Sequence, residues 1–396
     1  MSASYATTRT SGACAECLRR SWLLSTLSGP LDCCARDRDR LQTLLALEDA
    51  ELIEAIGGRR RSELRARYDA FPGQALGGST DARAACRNVR RSIDVEALCH
   101  HDPRYPQALL SARGAPYMLN VLGGAERLSG LCSAPAVAIL GSPRPSDYGR
   151  AVARGLARGL SVSGVSVICA WRDGIAIAAL EGALEAGATA VAVVGDGLEA
   201  ASPARRRALL SRLGRVGCAV SELPCDCNGR RWAKLASERT VVALATVAVV
   251  VEAEQTAGDL AAVDLARALG RTVAAVPGRV TSPLSRGTNA LLRSGARAVI
   301  DAGDVLELLY EVDPSREPAG APKRVRAPLE PRLRDLLRRV SAGSDTPDRL
   351  AREGVDLDDA LLALSELELM GLVGRGDGGR YLPTHPAADA SDISHV

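Results

Sequence analysis

Between about residues 136 and 309, short apolar runs alternate with longer stretches in which apolar positions recur every three or four residues. The runs at 137–140, 165–169, 190–194, 219–221, 247–251, 273–276 and 298–300 have the length and β-branched content of strands. The stretches at 150–160, 175–186, 204–213, 260–268 and 289–294 have helical spacing. Strands that are apolar throughout, rather than alternating, belong to a sheet covered on both faces. Residues 100–312 are therefore expected to form a Rossmann-like α/β domain with a parallel sheet.

The flanks read differently. In residues 1–99, Leu41, Leu44, Leu45 and Leu47 fall at helical spacing and Gly57-Gly58 is a stop signal, so an N-terminal helical module is expected. Packing is favoured for it over a nucleic-acid-binding hairpin. Gly77-Gly78-Ser79 and scattered arginines make 72–92 a loop or linker, and the proline-rich, charged segment 313–327 is a second linker. In residues 328–385, one amphipathic helix covers Leu333 to Val340. Another opens with Thr346 as N-cap and Pro347 at the first helical position, and Gly354 ends it. A third helix and a glycine-rich hairpin around 371–382 complete the winged-helix pattern, with 386–396 as a tail. The third helix carries Asp356, Asp358, Asp359, Glu366 and Glu368. A helix meant for phosphates is usually basic, so this module is expected to bind protein or to pack.

Composition narrows the class. At 46% hydrophobic and 24% charged residues the chain is of ordinary globular type, and a net charge of +3 neither supports nor excludes a nucleic-acid partner. The longest apolar run, Val241 to Val251 with Thr246 inside it, is far short of the roughly 18–20 residues that span a bilayer, so no membrane segment is expected. The first ten residues lack the apolar stretch of a secretory signal, which places the protein in the cytoplasm and makes its eleven cysteines reduced thiols. Cys14, Cys17, Cys33 and Cys34 form a candidate four-thiolate zinc set. The second pair is adjacent, a poor chelate spacing, and no histidine is near in sequence, so small buried side chains are the favoured reading.

The chemistry is expected at the strand ends. The first strand of the α/β region runs into Gly141-Ser142-Pro143-Arg144-Pro145-Ser146, and a strand leading through Gly-Ser into a helix places backbone N–H groups where anions bind. Ser142 supplies a hydroxyl there and Arg144 a charge. The strand at 273–276 is followed by Pro277-Gly278-Arg279, with Gly287-Thr288-Asn289 beyond. The two glycines permit close backbone approach, and Asn289 can cap a helix or touch a ligand.

These features, in this order, resemble the DNA-processing protein A (DprA, also called Smf) family. The resemblance is carried by Tyr105-Pro106 with Leu109, Ala138 through Ser142 with Ser146, Tyr148 and Gly149, Gly174-Ile175 with Gly182, Ser221-Glu222-Leu223-Pro224, Val250 through Ala253, and Val276-Pro277-Gly278 with Gly287, Asn289 and Leu291. It implies a non-catalytic protein that binds single-stranded DNA in a pocket of the Rossmann-like domain. It also implies a homodimer that loads RecA recombinase in natural transformation, with no cofactor. The DNA-contacting set so implied is Gly141, Ser142, Arg144, Ser146, Arg172, Gly174, Lys234, Arg239, Gly278, Gly287 and Asn289.

The chain departs from the family pattern at several of these places. Pro143 stands where the family has an arginine. The family's Ser-Gly-x-Ala-x-Gly-Ile-Asp stretch reads Cys169 through Ala176, and Arg-Asn-Arg reads Ser237-Glu238-Arg239, with Glu238 expected to oppose a phosphate. Arg144, Arg172, Arg230, Arg231, Lys234 and Arg239 are the compensating cations. Trp171 and Trp232 are candidates to stack a base, although packing in the core is favoured for both. Enzyme readings find little support. The Pro-Gly-Gly-x-Gly-Thr motif of nucleotide phosphoribohydrolases is replaced by Pro277-Gly278-Arg279. Gly141 is not followed by the further glycines of a dinucleotide site, and the four histidines lie outside the central sheet. The alternatives are a family member with an eroded DNA pocket, acting as a protein-interaction scaffold, and a Rossmann-like nucleotide-hydrolysing enzyme.

Overall fold

The computed structural model describes residues 13–71, 95–187, 190–200, 204–225, 227–255, 257–312, 330–341, 344–369, 373–375 and 380–383. The linkers expected at 72–92 and 313–327, the glycine turn at 376–379 and the tail at 386–396 lie outside the described residues. Two compact units divide the chain, 1–321 and 322–396.

The first unit opens with five helices, α1 (Ala15–Thr26), α2 (Ser28–Cys34), α3 (Arg38–Leu45), α4 (Asp49–Ile56) and α5 (Arg61–Asp69). Their leucines, among them Leu23, Leu31, Leu41 and Leu52, are buried together, and the buried Arg20 is neutralised by Asp49 at 2.6 Å. The α/β part follows as β1 (Val95–Cys99), β2 (Met118–Leu122), α6 (Ala125–Ser133), β3 (Ala136–Leu140), α7 (Asp147–Val162), β4 (Ser166–Ala170), α8 (Ile175–Glu185) and β5 (Ala190–Val194). It continues through α9 (Ala204–Val216), β6 (Cys218–Ser221), α10 (Arg231–Leu244), β7 (Val247–Val250), α11 (Ala257–Ala268), β8 (Thr272–Ala275), α12 (Arg286–Arg293), β9 (Arg297–Ala298) and α13 (Ala302–Val312).

One nine-stranded sheet has the order β1-β2-β6-β5-β4-β3-β7-β8-β9. From β6 to β9 every pairing is parallel, for instance Val137 opposite both Val167 and Val247. Alternate side chains enter opposite layers. Val137 and Ile139 pack with Leu156, Leu160 and Leu180 of α7 and α8, whereas Ala136 and Ala138 face the layer holding Val241, Val242 and Val263 of α10 and α11. This two-sided burial is why the strands read as continuous apolar runs.

The sheet is not wholly parallel, which corrects the sequence reading. β1 pairs antiparallel with β2, and β2 antiparallel with β6. Both strands lacked an apolar-run signature. Glu96 interrupts the half-buried β1, and Asn120 interrupts β2, buried there because its Nδ2 donates to the Leu223 carbonyl at 2.7 Å. The apolar run beginning at Val241 is also two elements, the buried end of α10 and β7, separated at Ala245-Thr246.

The second unit contains α14 (Pro331–Ser341), α15 (Pro347–Arg352), α16 (Leu357–Leu369) and the antiparallel pair β10 (Val373–Arg375) and β11 (Tyr381–Pro383). Leu333, Leu336, Leu350, Leu364, Leu367, Val373 and Tyr381 form its core. Thr346 caps α15 as its position suggested, its Oγ1 accepting from the Arg349 N–H at 3.3 Å. No helix among the described residues is long and apolar enough to cross a membrane.

Candidate nucleic-acid interface

The strand order runs outward in both directions from β3, so the gap between the carboxyl ends of β3 and β7 is the point at which α/β sheets open a ligand crevice. Gly141-Ser142 follows β3 and Glu252 follows β7. The two loops are joined there: the Ser142 N–H donates to the Glu252 carbonyl at 2.7 Å, and a Cβ on Gly141 would lie 2.7 Å from that oxygen.

The N-terminus of α7, expected to cradle a phosphate, already holds an anion from the protein itself. The buried Glu252 carboxylate accepts from the Ser146 N–H at 2.9 Å and from the Ser146 hydroxyl at 2.6 Å. Ser146 Oγ in turn accepts from the Gly149 N–H at 3.0 Å. Any side chain at Gly149 would collide with the carboxylate, its Cβ falling 2.2 Å from Oε2. Among the described residues Glu252 forms no ion pair, so these donors and the positive end of the helix dipole are its compensation. Ser142 is likewise occupied, buried with its Oγ accepting from the Arg144 N–H at 3.1 Å.

The loop after β4 leans on the same turn. The Ile175 N–H donates to the Ser142 carbonyl at 3.1 Å. Gly174 passes so close, with φ +90°, that a Cβ would meet that carbonyl oxygen at 2.3 Å. Across the β7–β8 side, the Gly287 N–H donates to the Ala253 carbonyl at 2.9 Å. Asn289 clamps Gly278 through both backbone groups, Oδ1 accepting from its N–H at 3.2 Å and Nδ2 donating to its carbonyl at 3.0 Å. Gly141, Ser142, Ser146, Gly174, Gly278, Gly287 and Asn289 thus fix the shape of the strand-end loops.

The cations divide into spent and exposed. Arg239 is buried, donating to Glu222 Oε2 at 2.6 Å and to the Gly114 carbonyl, while Thr240 Oγ1 donates to Glu222 Oε1 at 2.6 Å. Its guanidinium is thus engaged within the protein, unlike the exposed cations of the expected contact set. Glu238 does not stand open against a phosphate either. It lies between Arg172, at 2.8 Å, and Arg38 of α3, at 3.3 Å. Burial raises the Glu238 carboxyl above its ordinary range, and the two guanidinium groups oppose that rise. The role of Arg38 was not foreseen, because nothing local in the sequence ties α3 to a residue 200 positions away. Exposed cations remain after each of several strands: Arg230, Arg231 and Lys234 after β6, a partly exposed Arg172 after β4, Arg144 after β3 and Arg279 after β8.

Both tryptophans considered for base stacking, Trp171 and Trp232, are core residues. Trp171 is packed against the α7–α8 layer, and Trp232 is 1% exposed, its Nε1 donating to Ser28 Oγ at 2.8 Å. The cysteines also differ from expectation. Cys225 is disulfide-bonded, although compartment alone suggested thiols throughout, while Cys14, Cys17, Cys33, Cys34 and Cys99 are free.

The family model described as DNA recombination-mediator protein A matches residues 96–310, more than half the chain and the whole of the parallel sheet. The chain belongs to the DprA family. It is 34% identical over 339 residues to a putative DNA processing protein DprA of Mycobacterium tuberculosis, covering 84% of this chain and 79% of that one. It is 29% identical over 282 residues to protein Smf of Escherichia coli, covering 69% and 74%. The fold is similar to the X-ray structure of DNA processing protein A from Streptococcus pneumoniae, with a TM-score of 0.56 at 23% identity over 73% of this chain and 97% of that one. The motifs that carried the DprA resemblance have physical reasons in this fold. Tyr105 is buried with its hydroxyl donating to the Pro116 carbonyl, and Gly182 lets α8 touch the backbone of α7, where a Cβ would lie 2.2 Å from the Arg154 carbonyl oxygen.

Proposed function

We propose that this chain binds single-stranded DNA along the carboxyl edge of its sheet, with the strand's phosphates following the exposed cations and the glycine-shaped loops setting how closely the backbone approaches. The observation that carries this reading is the succession of exposed cations in sheet order, Arg230, Arg231 and Lys234, then Arg172, then Arg144, then Arg279, on both sides of the opening between β3 and β7. Charges arranged along an edge suit a polyanion. The opening itself is filled by Glu252, so a mononucleotide phosphate has no vacant helix N-terminus there. With Trp171 and Trp232 buried, neither is free to stack a base, so phosphate contacts carry most of the affinity and binding is non-specific and strongly salt-dependent.

Membership in the DprA family brings three further readings: action as a non-catalytic mediator that protects incoming single strands and loads RecA recombinase in natural transformation, work as a homodimer, and a cytoplasmic location. The second unit we read as a winged helix whose acidic α16 serves a protein partner. Its exposed Leu357, Leu361 and Leu362 stand beside Asp358 and Asp359, a combination unsuited to phosphate.

Fluorescence anisotropy with a labelled oligothymidine strand tests the central reading. Arg144→Ala combined with Lys234→Ala is expected to weaken binding and to flatten the dependence of log K on log salt by about 1.4, at about 0.7 per lost single-strand phosphate contact. Undetectable binding of the parent protein at low salt would sink the DNA reading and leave a protein scaffold.

A further inference from the structure

The N-terminal module meets the antiparallel edge of the sheet at four side chains with the chemistry of a metal site. Cys14 precedes α1 and Cys17 lies in its first turn, while Cys99 ends β1 and His101 follows two residues later. One ligand atom from each lies within 4.8 Å of all the others. We propose that Cys14, Cys17, Cys99 and His101 bind a structural zinc ion that fastens α1 to β1.

The two sulfur–nitrogen spacings to His101 match a tetrahedral shell. With Zn–S about 2.3 Å and Zn–N about 2.0–2.1 Å, tetrahedral angles put sulfur and nitrogen about 3.5 Å apart. His101 Nδ1 lies 3.4 Å from Cys14 Sγ and 3.5 Å from Cys17 Sγ. Two sulfurs converging on one ring nitrogen is the arrangement that a shared metal ion produces. The remaining nitrogen has the outer partner that metal-bound histidines keep: His101 Nε2 is 3.1 Å from His100 Nε2, and the His100 ring stands edge-on to Tyr117. Cys17 and Cys99 are buried beside Leu18 and Met118, so water is excluded from one side.

Four protein ligands close the shell, leaving no position for substrate, which makes the role structural. The ion joins segments more than 80 residues apart. The four-thiolate set suggested by the sequence is half replaced. Among the described residues the gathered group excludes Cys33 and Cys34, of which Cys33 is exposed at the end of α2. Cys99 and His101 escaped the sequence because Cys-x-His on a strand end carries no signal until the CxxC helix is packed on it.

Metal analysis of the full-length protein, purified under reducing conditions without chelator, is expected to give about one zinc per chain. Cobalt(II) added to the chelator-stripped protein is expected to give the intense visible bands of a tetrahedral thiolate site. Cys99→Ser and His101→Ala should lose most of the zinc and the cobalt bands, whereas the double variant Cys33→Ser, Cys34→Ser keeps both. Should the Cys99 variant fail to fold, zinc competition between the stripped parent protein and a chromophoric chelator supplies the same answer. A parent protein without zinc and without cobalt bands overturns the proposal. So does thiol mapping that finds Cys14, Cys17 or Cys99 in a disulfide, or metal retained in Cys99→Ser and lost in the Cys33, Cys34 variant.

Discussion

Two buried carboxylates, Glu238 and Glu252, sit near the carboxyl edge of the sheet and are stabilised by different means. Glu252 has only neutral donors and the end of α7, so Glu252→Gln, which keeps the shape and removes the charge, weakens two charge-assisted hydrogen bonds. The expected loss is about 2 kcal/mol in urea unfolding, with DNA affinity affected only through stability. Glu238 has two arginines and pays for its burial with a raised pKa. A carboxyl held above its ordinary value binds its proton more tightly in the folded state. Its contribution is therefore fully present at pH below the unfolded value of about 4.3 and declines as pH rises through the folded value. In Glu238→Gln that decline across the mildly acidic range should disappear from the stability profile. The same variant releases Arg172, so oligothymidine binding near neutral pH should tighten with a steeper salt slope. Unchanged affinity would mean that Arg172 does not reach the phosphates.

At the scale of elements, the site depends on loops touching loops. Gly174 combines a positive φ with a contact that a methyl group cannot make, so Gly174→Ala should cost about 2 kcal/mol or more and loosen the β3 and β4 loops together. Chemical denaturation and hydrogen exchange at Ser142–Ile175 read this directly. A cost near that of an ordinary surface substitution would show that the loops adjust independently. The central strands were legible because burial on both faces writes itself as apolar runs, and the helix start at Thr346 was legible because capping is local. The antiparallel edge was hidden by Glu96 and Asn120, whose reasons are tertiary. The strand-end loops could be placed from sequence, but which of their side chains are held in internal contacts is visible only in the fold. Arg239 reads in sequence like the other cations, and only its contacts to Glu222 and Gly114 set it apart from them.

At the scale of the first unit, the helical module and the sheet share one core. Trp232, Ala233, Ala236 and Leu223 pack with leucines of α1 to α4, and the start of α10 is held from α2, where Asp32 accepts from the Trp232 N–H at 3.2 Å. The module also reaches the strand-end loops, since Arg38 of α3 pairs with Glu238, which pairs with Arg172 after β4. Removing the Trp232 side chain should therefore act on both parts at once. Trp232→Ala is expected to cost about 3–5 kcal/mol, the usual range for a large aromatic lost from a core. Native-state hydrogen exchange in α2 and α3 should rise in step with that in α10, because elements sharing a core open as one cooperative unit. With Arg38 loosened, Glu238 keeps only Arg172 as a partner, so oligothymidine affinity should fall under conditions where the variant remains folded. If α2 and α3 keep their protection while α10 loses it, the module is an independent packing layer and the Arg38–Glu238 pair does not couple it to DNA.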